Sequence, residues 1–147
     1  MFSVVTSSPA ETEAFASTLA QKMPKGCTVA FFGGLGMGKT AFVRGFAKGL
    51  GLNCEVTSPT FALVHDYGGN PPLYHFDMYR VETWDDLYST GFFDYLENGA
   101  YLCIEWSENI EGALPENRFE VTVERTEEEN QRKITVKGCG EYENFIC

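Results

Sequence analysis

Thr28-Val29-Ala30-Phe31-Phe32-Gly33-Gly34-Leu35-Gly36-Met37-Gly38-Lys39-Thr40 is the stretch whose reading decides the fold. Its first five residues are a nearly continuous apolar run, as expected of a strand buried on both faces of a parallel sheet. The last eight meet the pattern G-x-x-x-x-G-K-[ST] through Gly33, Gly38, Lys39 and Thr40. Each residue type has a chemical reason. Glycines let backbone N–H groups converge on phosphate oxygens, the lysine reaches the β- and γ-phosphates, and the threonine hydroxyl ligates Mg2+. A helix beginning at Lys39 turns its positive N-terminal end toward the same anion. Its apolar face is Phe42, Val43, Phe46, Ala47 and Leu50, and Gly49 and Gly51 supply the stop. Strand, loop and helix together predict a phosphate-binding loop that holds ATP with Mg2+.

Reading outward, Phe2 to Thr6 reads as a short strand. Ser8-Pro9-Ala10-Glu11 reads as a helix start, with Ser8 as cap, Pro9 in the first turn and Glu11 where a capping box wants an acid. Phe15, Leu19 and Met23 recur at helical spacing until Pro24-Lys25-Gly26. After the loop helix the pattern becomes strand-rich. Phe61 to Tyr67 and Leu73 to Asp77 predict a hairpin across Gly68 to Pro72. Thr83 to Tyr88 and Gly91 to Glu97 predict short helices, and Ala100 to Glu105 another buried strand. Phe119 to Glu124 and Lys133 to Val136 predict a last strand pair. The fold class is therefore α/β: a three-layer domain like that of P-loop NTPases, with a mixed, mainly parallel sheet and antiparallel C-terminal strands. Residues 1–147 read as one domain, with 139–147 as a tail in which no motif is legible.

Composition narrows the function. At 44% hydrophobic and 22% charged, the chain is globular and not disordered. No apolar run approaches the ~20 residues of a membrane span, and Met1 to Thr6 lacks the basic and apolar regions of a secretory signal. The five cysteines are widely spaced with no CxxC pair, which predicts free thiols in a reducing compartment and a cytoplasmic location. The net charge of −10 is unevenly spread: residues 1–50 carry five Lys/Arg against two Glu, and residues 51–147 six against nineteen acids. An acidic surface repels phosphate backbones, so direct tight binding of nucleic acid is disfavoured. The slightly basic N-terminal third is where the phosphate loop lies.

A Mg-nucleotide site also needs a carboxylate at the end of a neighbouring strand. Asp77 closes Leu73-Tyr74-His75-Phe76-Asp77, and Glu105 closes the run from Ala100. Both are candidate metal-linked and catalytic acids, and the choice of general base between them stays open. Thr57-Ser58-Pro59-Thr60 follows the loop helix at the distance of a switch segment, although Ser-Pro-Thr is also ordinary turn chemistry. His75 reads as a packed core residue and Arg80 as a surface charge.

Four motifs in order carry a family resemblance: Gly33 to Thr40, Thr57-Ser58-Pro59-Thr60-Phe61-Ala62-Leu63-Val64, His75-Phe76-Asp77-Met78-Tyr79-Arg80, and Ile104-Glu105-Trp106. From about Phe2 to Val136 the chain resembles the TsaE (YjeE) family. The resemblance implies an ATPase of bacterial tRNA modification that acts with the TsaB–TsaD complex in making N6-threonylcarbamoyladenosine at position 37. In that scheme TsaC makes the threonylcarbamoyl-adenylate and TsaD transfers the group, and tRNA is met only through the complex. The resemblance implies roles for single residues as well. Gly33, Gly34, Leu35, Gly36, Met37, Gly38, Lys39, Thr40 and Ala41 hold the ATP or ADP phosphates, and Thr40, Glu105 and Asp77 serve Mg2+. Lys39, Asp77 and Glu105 form the catalytic set. Thr60, Trp106 and, in a looser alignment, Arg132 contact the nucleotide. The chain departs from the family at Gly34, where an acid is usual, and at Met37, where alanine is usual.

Two other readings share the phosphate loop. A small-molecule kinase needs an arginine-rich lid and a substrate pocket, whereas the six Lys/Arg after residue 50 are scattered. A non-hydrolytic, nucleotide-gated binding module would leave Asp77 and Glu105 without a task. No N-K-x-D guanine-reading motif is present.

Overall fold

The computed structural model describes residues 1–33, 38–56 and 63–145. Gly34 to Met37, Thr57 to Ala62 and the last two residues lie outside them, and with them the loop and switch expectations for Gly34, Leu35, Gly36, Met37 and Thr60. The strands are β1 (Phe2–Thr6), β2 (Thr28–Phe32), β3 (Val64–Gly69), β4 (Pro72–Asp77), β5 (Tyr101–Glu105), β6 (Arg118–Arg125) and β7 (Arg132–Cys139). The helices are α1 (Pro9–Lys22), α2 (Lys39–Gly49), α3 (Trp84–Ser89) and α4 (Phe92–Glu97).

All seven strands join one sheet in the order β1-β7-β6-β2-β5-β4-β3. The middle is parallel, with β2 between β6 and β5 and β5 against β4. The flanks are antiparallel: β1 with β7, β7 with β6, and β3 with β4. The sheet is mixed, as its sequence predicts, and its antiparallel pairs include the C-terminal ones.

Period-two alternation splits the buried side chains between two faces. Val29, Phe31, Leu73, Tyr101, Cys103, Phe119 and Val121 pack with Ala16 and Leu19 of α1 and with Phe42, Val43 and Phe46 of α2. Tyr74, Phe76, Leu102 and Ile104 face the other way, onto Leu87 of α3, Phe92 of α4 and Ile110. The result is three layers. Each phenylalanine fully buried here contributes roughly 1.5–3 kcal/mol of transfer free energy.

Small residues set the distance between α1 and α2. A methyl group on Gly45 would lie 2.2 Å from the Glu13 carbonyl oxygen, and one on Gly49 2.3 Å from that of Ser17. The two backbones are in contact at both points. Glu13 adds Lys48 at 2.8 Å and Arg44 at 3.6 Å, an exposed ion pairing of modest worth.

Ser8 caps α1 as its sequence predicts, its hydroxyl accepting the Glu11 N–H at 3.1 Å. The reciprocal half differs, since the Glu11 carboxylate accepts from Ser7 N–H at 3.2 Å and not from Ser8. The full capping box forms instead at α3, between Thr83 and Asp86. The 3-10 segment Ser107–Ala113, kinked at Ile110, has no sequence forecast. The C-terminal stretch is likewise more than a tail. Strand β7 runs to Cys139, Tyr142 stacks on Phe119 at 4.7 Å and 3°, and Phe145 meets the same ring edge-on at 5.0 Å.

Candidate nucleotide site

Strand β2 ends at Phe32 and α2 begins at Lys39, both at the edge where the parallel strands point their carboxyl ends. In open α/β sheets that edge is the usual ligand crevice. Gly38 sits at the helix start with φ 100°, a left-handed conformation that a β-carbon disfavours. A methyl group there would also meet Val123 Cγ1 at 3.5 Å and Arg132 Cγ at 3.9 Å.

The first turn of α2 delivers three of the expected residues. Lys39 is buried at 2% exposure, and its Nζ donates to the Gly33 carbonyl at 2.7 Å. The same ammonium lies 5.4 Å from the centroid of the Trp106 ring, within cation–π range. Burial pushes the Lys39 ammonium below the ordinary lysine range, while Glu105, Glu108 and Asp77 pull it back up. Thr40 is half-buried beside it and Ala41 is buried.

The acids arrive from two neighbouring strands. In the parallel register of β4 and β5, Asp77 and Glu105 are direct partners. Both point to the α2 face of the sheet, because they continue the alternation of Leu73 and Cys103. The Asp77 carboxylate accepts the Tyr79 N–H at 2.9 Å. Burial pushes its pKa above the ordinary aspartate range; the Tyr79 N–H opposes this, Glu105 adds to it, and His75 and Lys39 oppose it. Glu105 is buried at 7% exposure, with Oε2 2.6 Å from His75 Nε2.

Trp106 follows directly and is the one described non-glycine residue with positive φ, 59°. That twist ends β5, starts the 3-10 segment and lays the indole 4.9 Å from the Tyr79 ring. Two residues on, Glu108 accepts the Gly33 N–H at 3.2 Å, and Asn109 Nδ2 donates to the Met78 and Tyr79 carbonyls at 2.9 and 3.3 Å. The 3-10 segment thus ties the start of the loop to the end of β4.

The structure therefore gathers Gly33, Gly38, Lys39, Thr40, Ala41, Asp77, Glu105 and Trp106 at one edge. Arg132 is there only in part. Its stem lies beside Gly38, and its guanidinium donates to the Glu129 and Gln131 carbonyls at 2.9 and 2.8 Å. Arg44 is paired with Glu13. Sequence reading misses Glu108, whose signal is three residues of spacing from Glu105. It also misses the tie of His75 to Glu105, which exists only through strand register.

The family model described as "Threonylcarbamoyl adenosine biosynthesis protein TsaE" matches residues 6–134. The chain belongs to the TsaE family. A Bacillus subtilis (strain 168) protein named tRNA threonylcarbamoyladenosine biosynthesis protein TsaE is 36% identical over 143 residues, covering 97% of this chain and 89% of the relative. A TsaE of the same name from Treponema pallidum (strain Nichols) is 36% identical over 132 residues, covering 90% of this chain and 97% of that one. The crystal structure of Bacillus subtilis YdiB matches with a TM-score of 0.79 at 32% identity, over 97% of this chain and 88% of that structure's chain. The family likeness thus extends over all three layers of the fold.

Proposed function

We propose that this TsaE-family chain binds and hydrolyses Mg-ATP as a component of N6-threonylcarbamoyladenosine formation at position 37 of tRNA, acting with a TsaB–TsaD complex. One observation carries the reading: the buried Lys39 at the phosphate loop shares one sheet edge with two register-paired carboxylates, Asp77 and Glu105. Membership of the TsaE family supplies the pathway, threonylcarbamoyladenosine biosynthesis.

The donor set suits magnesium. Thr40, Asp77 and Glu105 offer hard oxygens, and no group of three or more His, Cys, Asp or Glu among the described residues could cage a metal unaided. Mg2+ fits such a set because it keeps several waters and takes its remaining ligands from nucleotide phosphates. When bound, the ion would neutralise charge on the nucleotide phosphates. Lys39 stabilises charge on the transferring group, and Asp77 or Glu105 orients the attacking water. Of the three arginines the sequence offers as a finger, Arg44 pairs with Glu13 and the Arg132 guanidinium donates to the Glu129 and Gln131 carbonyls, which leaves the exposed Arg80. Slow turnover without the partner complex is the expectation.

The net charge of −10 supports a chain that meets tRNA only through its partners. No helix among the described residues is long and apolar enough to cross a membrane, and a cytoplasmic site of action suits a tRNA pathway. The test is reconstituted tRNA modification under multiple turnover, with ATP or a non-hydrolysable analogue. Sustained product with ATP alone supports the hydrolytic reading. Equal product with the analogue would replace it by nucleotide gating.

A further inference from the structure

Glu105 is held by a chain of side chains that nothing in the family's description assigns. His75 is fully buried, with Nε2 2.6 Å from Glu105 Oε2. Its other ring nitrogen, Nδ1, lies 3.0 Å from the Tyr67 hydroxyl, and that hydroxyl lies 3.3 Å from His65 Nδ1. These are the only two histidines of the chain, and both belong to this array.

Strand geometry explains how it assembles. His65 and Tyr67 lie side by side on β3 with their rings edge-on at 5.9 Å, and His65 is the cross-strand partner of His75. One strand further in, β4 and β5 pair His75 with Cys103 and Asp77 with Glu105, which brings the His75 ring beneath the Glu105 carboxylate. An imidazole engaged at both nitrogens has its ring plane fixed. A carboxylate pinned at Oε2 has its second oxygen aimed, and Oε1 is then the atom left to meet a ligand at the sheet edge. The three rings also pack on one another, with His65–His75 centroids at 6.4 Å and Tyr67–His75 at 5.9 Å.

We propose that His75 is a positioning residue for Glu105, with Tyr67 and His65 behind it, so that the β3–β4 hairpin sets the orientation of the site's buried acid toward Mg-nucleotide. This rests on the reading of Glu105 as an acid of the nucleotide site. A histidine that only filled core volume would be replaceable at the cost of stability alone. A positioning residue acts through Glu105 and loses its effect when Glu105 is altered.

The experiment is a double-mutant cycle on His75→Ala and Glu105→Gln, with Tyr67→Phe and His75→Gln alongside, in the full chain. Readouts are kcat and KM for ATP, and the gain in ADP affinity that Mg2+ confers, measured by calorimetry. Outer-sphere partners of this kind typically contribute about 10–100-fold. The expected result is a fall of about that size in kcat for His75→Ala, with KM changed less, and a matching loss of the Mg2+-dependent gain in ADP affinity. His75→Gln, which retains a side-chain N–H donor, recovers part of both. In the Glu105→Gln background, His75→Ala adds less than about 3-fold. If its full effect persists there, or if His75→Ala keeps wild-type values, the inference is overturned. If Glu105→Gln alone keeps wild-type values, the reading of Glu105 falls and the inference with it. Thermal unfolding monitors each variant, and where His75→Ala does not fold, Tyr67→Phe, which keeps its ring, takes its place in the cycle.

Discussion

Lys39 Nζ donates a 2.7 Å hydrogen bond to the carbonyl of Gly33, the residue that opens the loop Lys39 closes. The bond clips the two ends of the phosphate loop together. An ammonium has three donors, so two remain for phosphate oxygens. Around it stand the Trp106 ring at 5.4 Å and the carboxylates of Glu105, Glu108 and Asp77, which offset part of the cost of burying the charge.

Asp77 pays for its place in stability, and the sign can be worked out. Its folded pKa is raised above 3.8. Between 3.8 and the folded value the native state holds more protons than the unfolded one, so stability falls as pH rises through that window. At neutral pH the full cost of the half-buried carboxylate is present. Asp77→Asn removes the charge and keeps an oxygen for the Tyr79 N–H. Its melting temperature at neutral pH is expected at or above that of wild type, the gap closing in acid, while ATP turnover falls. A markedly lower melting temperature at neutral pH would contradict this.

Gly45→Ala tests how α2 is seated. The added methyl group meets the backbone of Glu13 at 2.2 Å, and a backbone cannot swing aside as a side chain can. Overpacking of this sort costs about 1–3 kcal/mol. Urea unfolding followed by circular dichroism should show a lower midpoint with little change in slope. An unchanged midpoint would mean that α1 and α2 are not in backbone contact.

The described thiols divide into two classes. Burial pushes the Cys27 thiol up to about 12 and Cys103 well above the ordinary range, and both are buried. Cys54 and Cys139 are raised by burial too, but both are partly exposed. Alkylation with iodoacetamide at mildly alkaline pH, mapped by peptide mass spectrometry, should modify Cys54 and Cys139 in the native protein. Cys27 and Cys103 should react only after denaturation. Equal labelling of all four in the native state would refute the burial pattern.

Much of the fold is legible because its strongest local signals agree with its packing. The apolar run Thr28–Phe32, the loop pattern and the amphipathic α2 each fix one element, and the apolar run from Ala100 to Glu105 marks β5, which begins one residue later at Tyr101, for the same reason. The 3-10 segment Ser107–Ala113 is illegible because it follows from the left-handed turn at Trp106 and not from any periodicity. The C-terminal stretch hides for a related reason: Tyr142 and Phe145 are two isolated aromatics whose partner, Phe119, lies on β6. At the site, Asp77 and Glu105 are visible as strand ends. The grip of His75 on Glu105 is not, since it spans 30 residues and depends on parallel register. A single histidine on a strand reads as core until its neighbour strand is known.

The central claim is hydrolysis of ATP at this loop, and its most direct test is phosphate release from Mg-ATP by the wild-type chain and Lys39→Ala, each with the TsaB–TsaD complex. Lys39→Ala removes the buried ammonium proposed to meet the phosphates, while Thr40→Ala in parallel removes the hydroxyl proposed to ligate magnesium. The expected result is steady Mg2+-dependent turnover by wild type and a loss of at least about 100-fold in Lys39→Ala, the scale of removing a preorganised charge from a phosphoryl-transfer site. Wild-type turnover by Lys39→Ala would contradict the account.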